Sequence, residues 1–86
     1  MRGVIRLHDR TDHDGHVETA SAAIVIDGVP AAVVGDVVSC PRPGHGRTAI
    51  LPGESSIFCG TRQVALHGFR AGCGCRLLSS TTGFGE

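Results

Sequence analysis

DGVPAAVVGDVVSCPRPGHG, residues 27–46, is the stretch whose reading decides the fold. Asp27-Gly28 stands between apolar runs, and a two-residue turn of the primed type needs positive φ at its centre, so the pair predicts a tight β-hairpin. The apolar run 29–34 returns from that turn. Beyond it, Cys40 and His45 are separated by Pro41, Pro43 and Gly44, which stiffen and reverse the chain between two side chains that both bind zinc well. Sequence of this kind makes turns and ligands, not helices.

The same grammar runs outward in both directions. Thirteen Gly and four Pro are spread evenly over 86 residues, which excludes a long helix and marks a turn every several residues. An all-β fold of short strands is expected, with strands at 4–7, 17–21, 22–27, 29–34, 48–51, 55–59, 63–66 and 76–79. Residues 8–16 read as a polar loop and 80–86 as an irregular cap. The length implies a single domain, 1–86. With three Phe and neither Trp nor Tyr, its core has to come from Val, Ile, Leu and Ala. A body this thin needs a staple such as a metal, a disulfide or a partner subunit.

Charge narrows the function. The net charge is zero, all eight basic residues are Arg, and no run of like charge occurs, so neither nucleic acid nor a membrane surface is favoured as a partner. The opening MRGVIRLHDRTDHDG lacks the apolar core of a signal peptide, and no segment approaches the length of a membrane span. Synthesis and residence in the cytoplasm are therefore expected. Thiols stay reduced there, so four Cys accompanied by five His read as metal ligands rather than disulfides.

Sliding the chain against itself reveals a weak internal repeat, in which residues 22–40 lie over 55–73. Ala32 meets Ala65, Gly35 meets Gly68, and Cys40 meets Cys73. Upstream, His13 falls within one residue of the position matching His45. A third echo comes from Leu7-His8-Asp9 followed by His13, which has the spacing of Val34-Gly35-Asp36 followed by Cys40. Three similar strand-to-loop passages predict pseudo-threefold packing, with the equivalent loops meeting at one end and gathering His13, Cys40, His45 and Cys73.

Four N and S donors in a closed set form the structural kind of zinc site. His67 stands where Val34 stands in the other copy and is an alternative ligand in place of Cys40. Cys59 reads as a core thiol, Cys75 as the inward-packing first residue of a strand, and His8 and His16 as exposed loop residues. Catalytic zinc keeps an open position and a pocket, for which this little core leaves scarcely any room, so a non-enzymatic protein is expected. The competing reading is a small zinc-dependent hydrolase using His13, His45 and Cys73 with water as fourth ligand.

With these residues in view, the chain resembles the PAAR-repeat family, the tip proteins of the bacterial type VI secretion spike. Pro30-Ala31-Ala32-Val33 matches the naming motif with Val33 in place of its arginine, and Val34-Gly35-Asp36 continues it. Ser39-Cys40-Pro41, Gly44-His45-Gly46, Asp12-His13-Asp14-Gly15 and Gly72-Cys73-Gly74 fit in the right order.

The resemblance implies a small cone of β-strands with zinc near its sharp end. Its broad base would sit on a trimeric spike protein of the valine-glycine-repeat (VgrG) type, one chain per trimer. It further implies separate effector proteins as cargo, assembly in the cytoplasm, and delivery by the secretion apparatus with a membrane met only by puncture. Family members bind their zinc through histidines and a cysteine, often three and one. Carried over, this places His13, His45 and Cys73 in the site. The further histidine of the pattern falls on Phe69, leaving His67 or Cys40 for the fourth place.

Overall fold

The computed structural model describes residues 2–41, 44, 46–81 and 85, and among these the chain forms short strands and no helix. The strands are β1 (His16–Val17), β2 (Val25–Ile26), β3 (Val29–Pro30), β4 (Val37–Cys40), β5 (Gly46–Ala49), β6 (Phe58–Cys59) and β7 (Arg62–Gln63). Asp27 and Gly28 adopt φ of 53° and 80°. They close the expected hairpin, in which Ile26 pairs with Val29 and Val25 with Pro30. An equivalent hairpin joins β6 to β7, pairing Cys59 with Arg62 and Phe58 with Gln63. The third pair of this kind is made by residues far apart in sequence, Gly3 and Gly85.

A pseudo-threefold arrangement organises the molecule, with units 6–17, 33–50 and 66–77. Each unit begins with the same turn: Asp9 N–H donates to the Arg6 carbonyl, Asp36 N–H to Val33 and Phe69 N–H to Leu66, each at 3.0 Å. Turns of this type need positive φ at their third residue. His8, Gly35 and Gly68 supply it at 70°, 97° and 91°.

The units are tied by hydrogen bonds that close on themselves. Ile5 N–H donates to the Ala65 carbonyl, Ala65 N–H to Ala32, and Ala32 N–H back to Ile5, at 2.9, 3.0 and 2.8 Å. Bridges Val4–Leu66, Arg6–Ala31 and Val33–Val64 repeat the cycle. Within each unit the same bond closes its two ends, His8 N–H to Val17, Gly35 N–H to Ile50 and Gly68 N–H to Leu77, at 3.0, 3.0 and 2.8 Å. Because each backbone segment changes partner after one or two residues, several of the long strands expected from the sequence become isolated bridges.

Small aliphatic side chains fill the space inside the cycle. Val4, Ala31 and Val64 occupy one set of equivalent positions, Ile5, Ala32 and Ala65 a second, and Val17, Ile50 and Leu77 a third, all essentially fully buried. Alanine in the set next to the hydrogen-bonded ring lets three backbones approach closely. The body is elongated, 33 × 23 × 20 Å.

One set of buried positions departs from the symmetry. Asp36 accepts from the Val33 and Ser21 N–H groups at 2.9 and 3.0 Å and from the Ser21 and Thr19 hydroxyls at 2.9 and 3.0 Å. Asp9 likewise accepts from the Arg6 N–H and from Ser80. The third equivalent is Phe69, whose ring lies so close to Gly53 that a β-carbon there would sit 2.8 Å from it.

A candidate metal centre at the three equivalent turns

Beyond the buried layers each unit reverses direction, and the reversal carries one donor from each. In the first unit Arg10 bridges His16, and in the third Arg70 bridges Arg76. Asp14 N–H donates to the Thr11 carbonyl at 3.3 Å and Gly74 N–H to Ala71 at 2.9 Å, with φ of 64° at Asp14 and 91° at Gly74. The second unit makes the longer β4–β5 hairpin, in which Cys40 pairs with Gly46. Its strand β4 begins inside the segment the sequence analysis left without a strand. The inward-facing Val38 and Cys40 alternate with half-buried Val37 and Ser39, the period of an ordinary strand.

These turns place His13, Cys40 and Cys73 at equivalent positions, as the repeat alignment implies. The three turns are stitched together by Asp12 N–H to Arg76 and Gly72 N–H to Ala49, at 3.0 and 2.9 Å, and by the His16–Ser39 pairing of β1 with β4. His13 Nδ1 lies 3.9 Å from Cys40 Sγ. Donor atoms of His13, Cys73 and Cys75 all fall within 4.8 Å of one another. Cys73 and Cys75 bring their sulfurs to 3.2 Å. Cys40 and Cys75 are buried, while His13 and Cys73 are partly open to solvent.

The two neighbouring thiols are shifted in opposite directions. Burial pushes the Cys73 thiol up, but the N–H of Cys75, the Cys75 thiol, the Thr48 hydroxyl and the Cys40 thiol together outweigh it and favour the thiolate. For Cys75, burial comes first and the negative charge and hydrogen bonding of Cys73 add to it, pushing it up to about 12. A cation between them would relieve both effects at once. Asp12 Oδ1 accepts the Arg76 N–H at 2.8 Å and lies 3.8 Å from His13 Nε2. That carboxylate is placed to orient the imidazole with Nδ1 toward the thiols.

The remaining candidate ligands are placed differently. His45 lies outside the described residues; its chain neighbour Gly46 is the residue paired with Cys40. His67 is exposed, its Nδ1 accepts the Ser79 N–H at 3.0 Å, and it does not join the donor group. Cys59 is half-buried against the core and accepts the Ala23 N–H at 3.3 Å. Cys75 packs inward as the sequence analysis expects, fully buried in the core cluster, and its sulfur also falls within the donor group, a place the sequence analysis did not give it. Its signal was the Cys-Gly-Cys spelling, because the left-handed Gly74 folds two residues so near in sequence onto one center.

Two surface grooves, of about 470 and 490 Å³, are lined by residues such as Arg2, Leu51, His67 and Phe69 and by Val34, Phe58 and Gln63. Neither contains His13, Cys40, Cys73 or Cys75. The group thus offers soft and borderline donors outside both of these grooves. A zinc tetrahedron with Zn–S of about 2.3 Å and Zn–N of about 2.0–2.1 Å has edges of roughly 3.3–3.8 Å; the Cys73–Cys75 and His13–Cys40 separations of 3.2 and 3.9 Å lie beside that range, and the soft and borderline donors suit a metal of that kind.

Comparison with known families returns a match to the PAAR motif over residues 7–79. The span runs through all three donor turns. No curated protein matches the chain.

Proposed function

The chain belongs to the PAAR-motif family, whose members are associated with the type VI secretion spike, and on that premise we propose that it is a non-enzymatic tip that caps a trimeric VgrG-type spike protein. The observation that carries this reading is the closed cycle of hydrogen bonds through Ile5, Ala32 and Ala65. One chain meets a threefold partner with three comparable faces only if its own backbone repeats three times around an axis. Exposed apolar residues support the same reading. Val25 and Phe58, 59% and 54% exposed, hold equivalent places in the β2–β3 and β6–β7 hairpins. Large apolar side chains left open at repeated positions mark a surface made to be covered.

At the donor turns His13, Cys40 and Cys73, one from each unit, would hold a zinc ion. Zinc supplies a cross-link between three turns that the unfolded chain does not hold together, so its binding free energy becomes folding free energy. The chain's own residues do the rest: Asp12 orients His13, and against the upward push of burial the N–H of Cys75 and the hydroxyl of Thr48 favour the Cys73 thiolate. The protein assembles on the spike in the cytoplasm and helps attach separate effector proteins, with which it is delivered into a target cell.

Co-purification with the trimeric spike protein encoded in the same genome tests the proposal. The wild-type chain is expected to co-elute with it, and Val25→Asp together with Phe58→Asp to abolish co-elution while leaving the chain folded. Failure of the wild type to bind any spike from that genome would overturn it. Zinc-dependent hydrolysis of an ester or phosphodiester that disappears in His13→Ala would favour a hydrolase instead.

A further inference from the structure

We infer that Cys75 is a ligand of the metal centre beside His13 and Cys73, whose donor atoms share one compact group with its own, and that Cys40, 3.9 Å from His13 Nδ1, completes a set of one imidazole and three thiolates. The inference rests on the reading of the donor turns as a metal site and goes beyond it in fixing the ligand set, which inverts the histidine-rich pattern that the sequence resemblance implies.

Three observations carry it. First, the positions equivalent to Cys75 in the other two units are Gly15 and Thr48, so the second row of the site contains one thiol, and it lies 3.2 Å from Cys73 and within 4.8 Å of the His13 donor atom. Those separations suit neighbouring corners of one tetrahedron. Second, Thr48 Oγ1 is buried without a hydrogen bond, and the Thr48 side chain lies against Gly72, the residue before Cys73, where an added β-carbon would sit 3.3 Å from Thr48 Cβ. A metal-bound Cys73 gives that orphaned hydroxyl an acceptor, as outer-shell groups give metal ligands generally.

Third, His67 is committed elsewhere. Its Nδ1 accepts the Ser79 N–H, and its side chain lines the groove with Arg2 and Phe69. Its counterparts in the other units, Leu7 and Val34, are partly buried side chains of the corresponding turns, outside the donor group. With three thiolates, the centre carries a net negative charge and prefers soft cations, so cadmium should displace zinc readily.

X-ray absorption at the zinc edge of the intact, zinc-loaded chain tests the ligand set without any substitution. Three sulfurs at about 2.3 Å and one nitrogen at about 2.0–2.1 Å are expected. Cys75→Ser should lower the sulfur count by one, whereas His45→Ala and His67→Ala should leave the spectrum unchanged. Two sulfurs or fewer in the wild type, or loss of a nitrogen in His45→Ala, would overturn the inference while leaving a zinc site at the tip intact. A chain that takes up no zinc would overturn both this inference and the metal reading beneath it.

Discussion

The donor turn of the first unit and that of the third share a backbone and differ in how they are held. In both, the first strand residue donates across the turn, Thr11 N–H to Gly15 and Ala71 N–H to Cys75, each at 3.0 Å. In the first turn the Thr11 hydroxyl then accepts the N–H groups of His13 and Gly15, at 3.2 and 2.9 Å. The third turn has Ala71 at that place. There the N–H of Cys75 serves the Cys73 sulfur instead. One turn satisfies itself with a side chain of its own, and the other relies on a thiolate that a cation would hold in place. Repetition of the backbone fixes where donors meet, and the side chains are then free to specialise.

Removing the metal should have the largest effect, because it strikes the turn that lacks an internal brace. A site of this kind contributes on the order of 10 kcal/mol of apparent binding free energy at neutral pH. A strong chelator is therefore expected to lower the melting temperature markedly or to unfold the chain. Identical melting curves with and without chelator would break the contrast between the two turns.

Substituting the buried carboxylate comes next. Asp36→Ala leaves four donors without their acceptor and should cost about 3 kcal/mol or more in denaturant unfolding. A loss below about 1 kcal/mol would mean that water replaces the carboxylate, as it does at exposed sites. Thr11→Ala removes the brace of the first turn and should cost about 1–2 kcal/mol while zinc is retained. Simultaneous loss of zinc would show that the two turns are not independent.

The smallest expected effect is a gain. His8 holds the left-handed conformation that glycine holds in the other two units, at a cost of roughly 1–2 kcal/mol for a side-chain-bearing residue. Since glycine gives up more backbone freedom on folding, His8→Gly should stabilise by no more than about 1 kcal/mol. A net loss would point to its edge-on contact with His16, whose ring centre lies 6.3 Å away.

Much of this design is legible in the sequence, for a physical reason. The Asp27-Gly28 turn is written in two residues, and the equivalence of His13, Cys40 and Cys73 is written in spacing, because each unit must traverse the same turns to close the hydrogen-bond cycle. Strand lengths are not legible. Apolar runs such as 29–34 look like continuous strands, whereas Val29–Pro30 pairs with β2, Ala31 with Arg6 and Val33 with Val64. The burial of Cys75 is legible, but its nearness to His13 and Cys73 is not, because it depends on Gly74 turning the chain at φ 91°. His67 was ambiguous because its position in the repeat does not reveal that the Ser79 N–H occupies its Nδ1.

The central claim, that one pseudo-threefold chain answers a threefold partner, is tested most directly by the native mass of its complex with the trimeric spike protein from the same genome. The account predicts one chain for each three spike chains, with no second copy added at excess. Three chains bound per trimer would contradict it, since each spike chain would then recognise a separate copy and the internal repetition of this chain would have no role in binding.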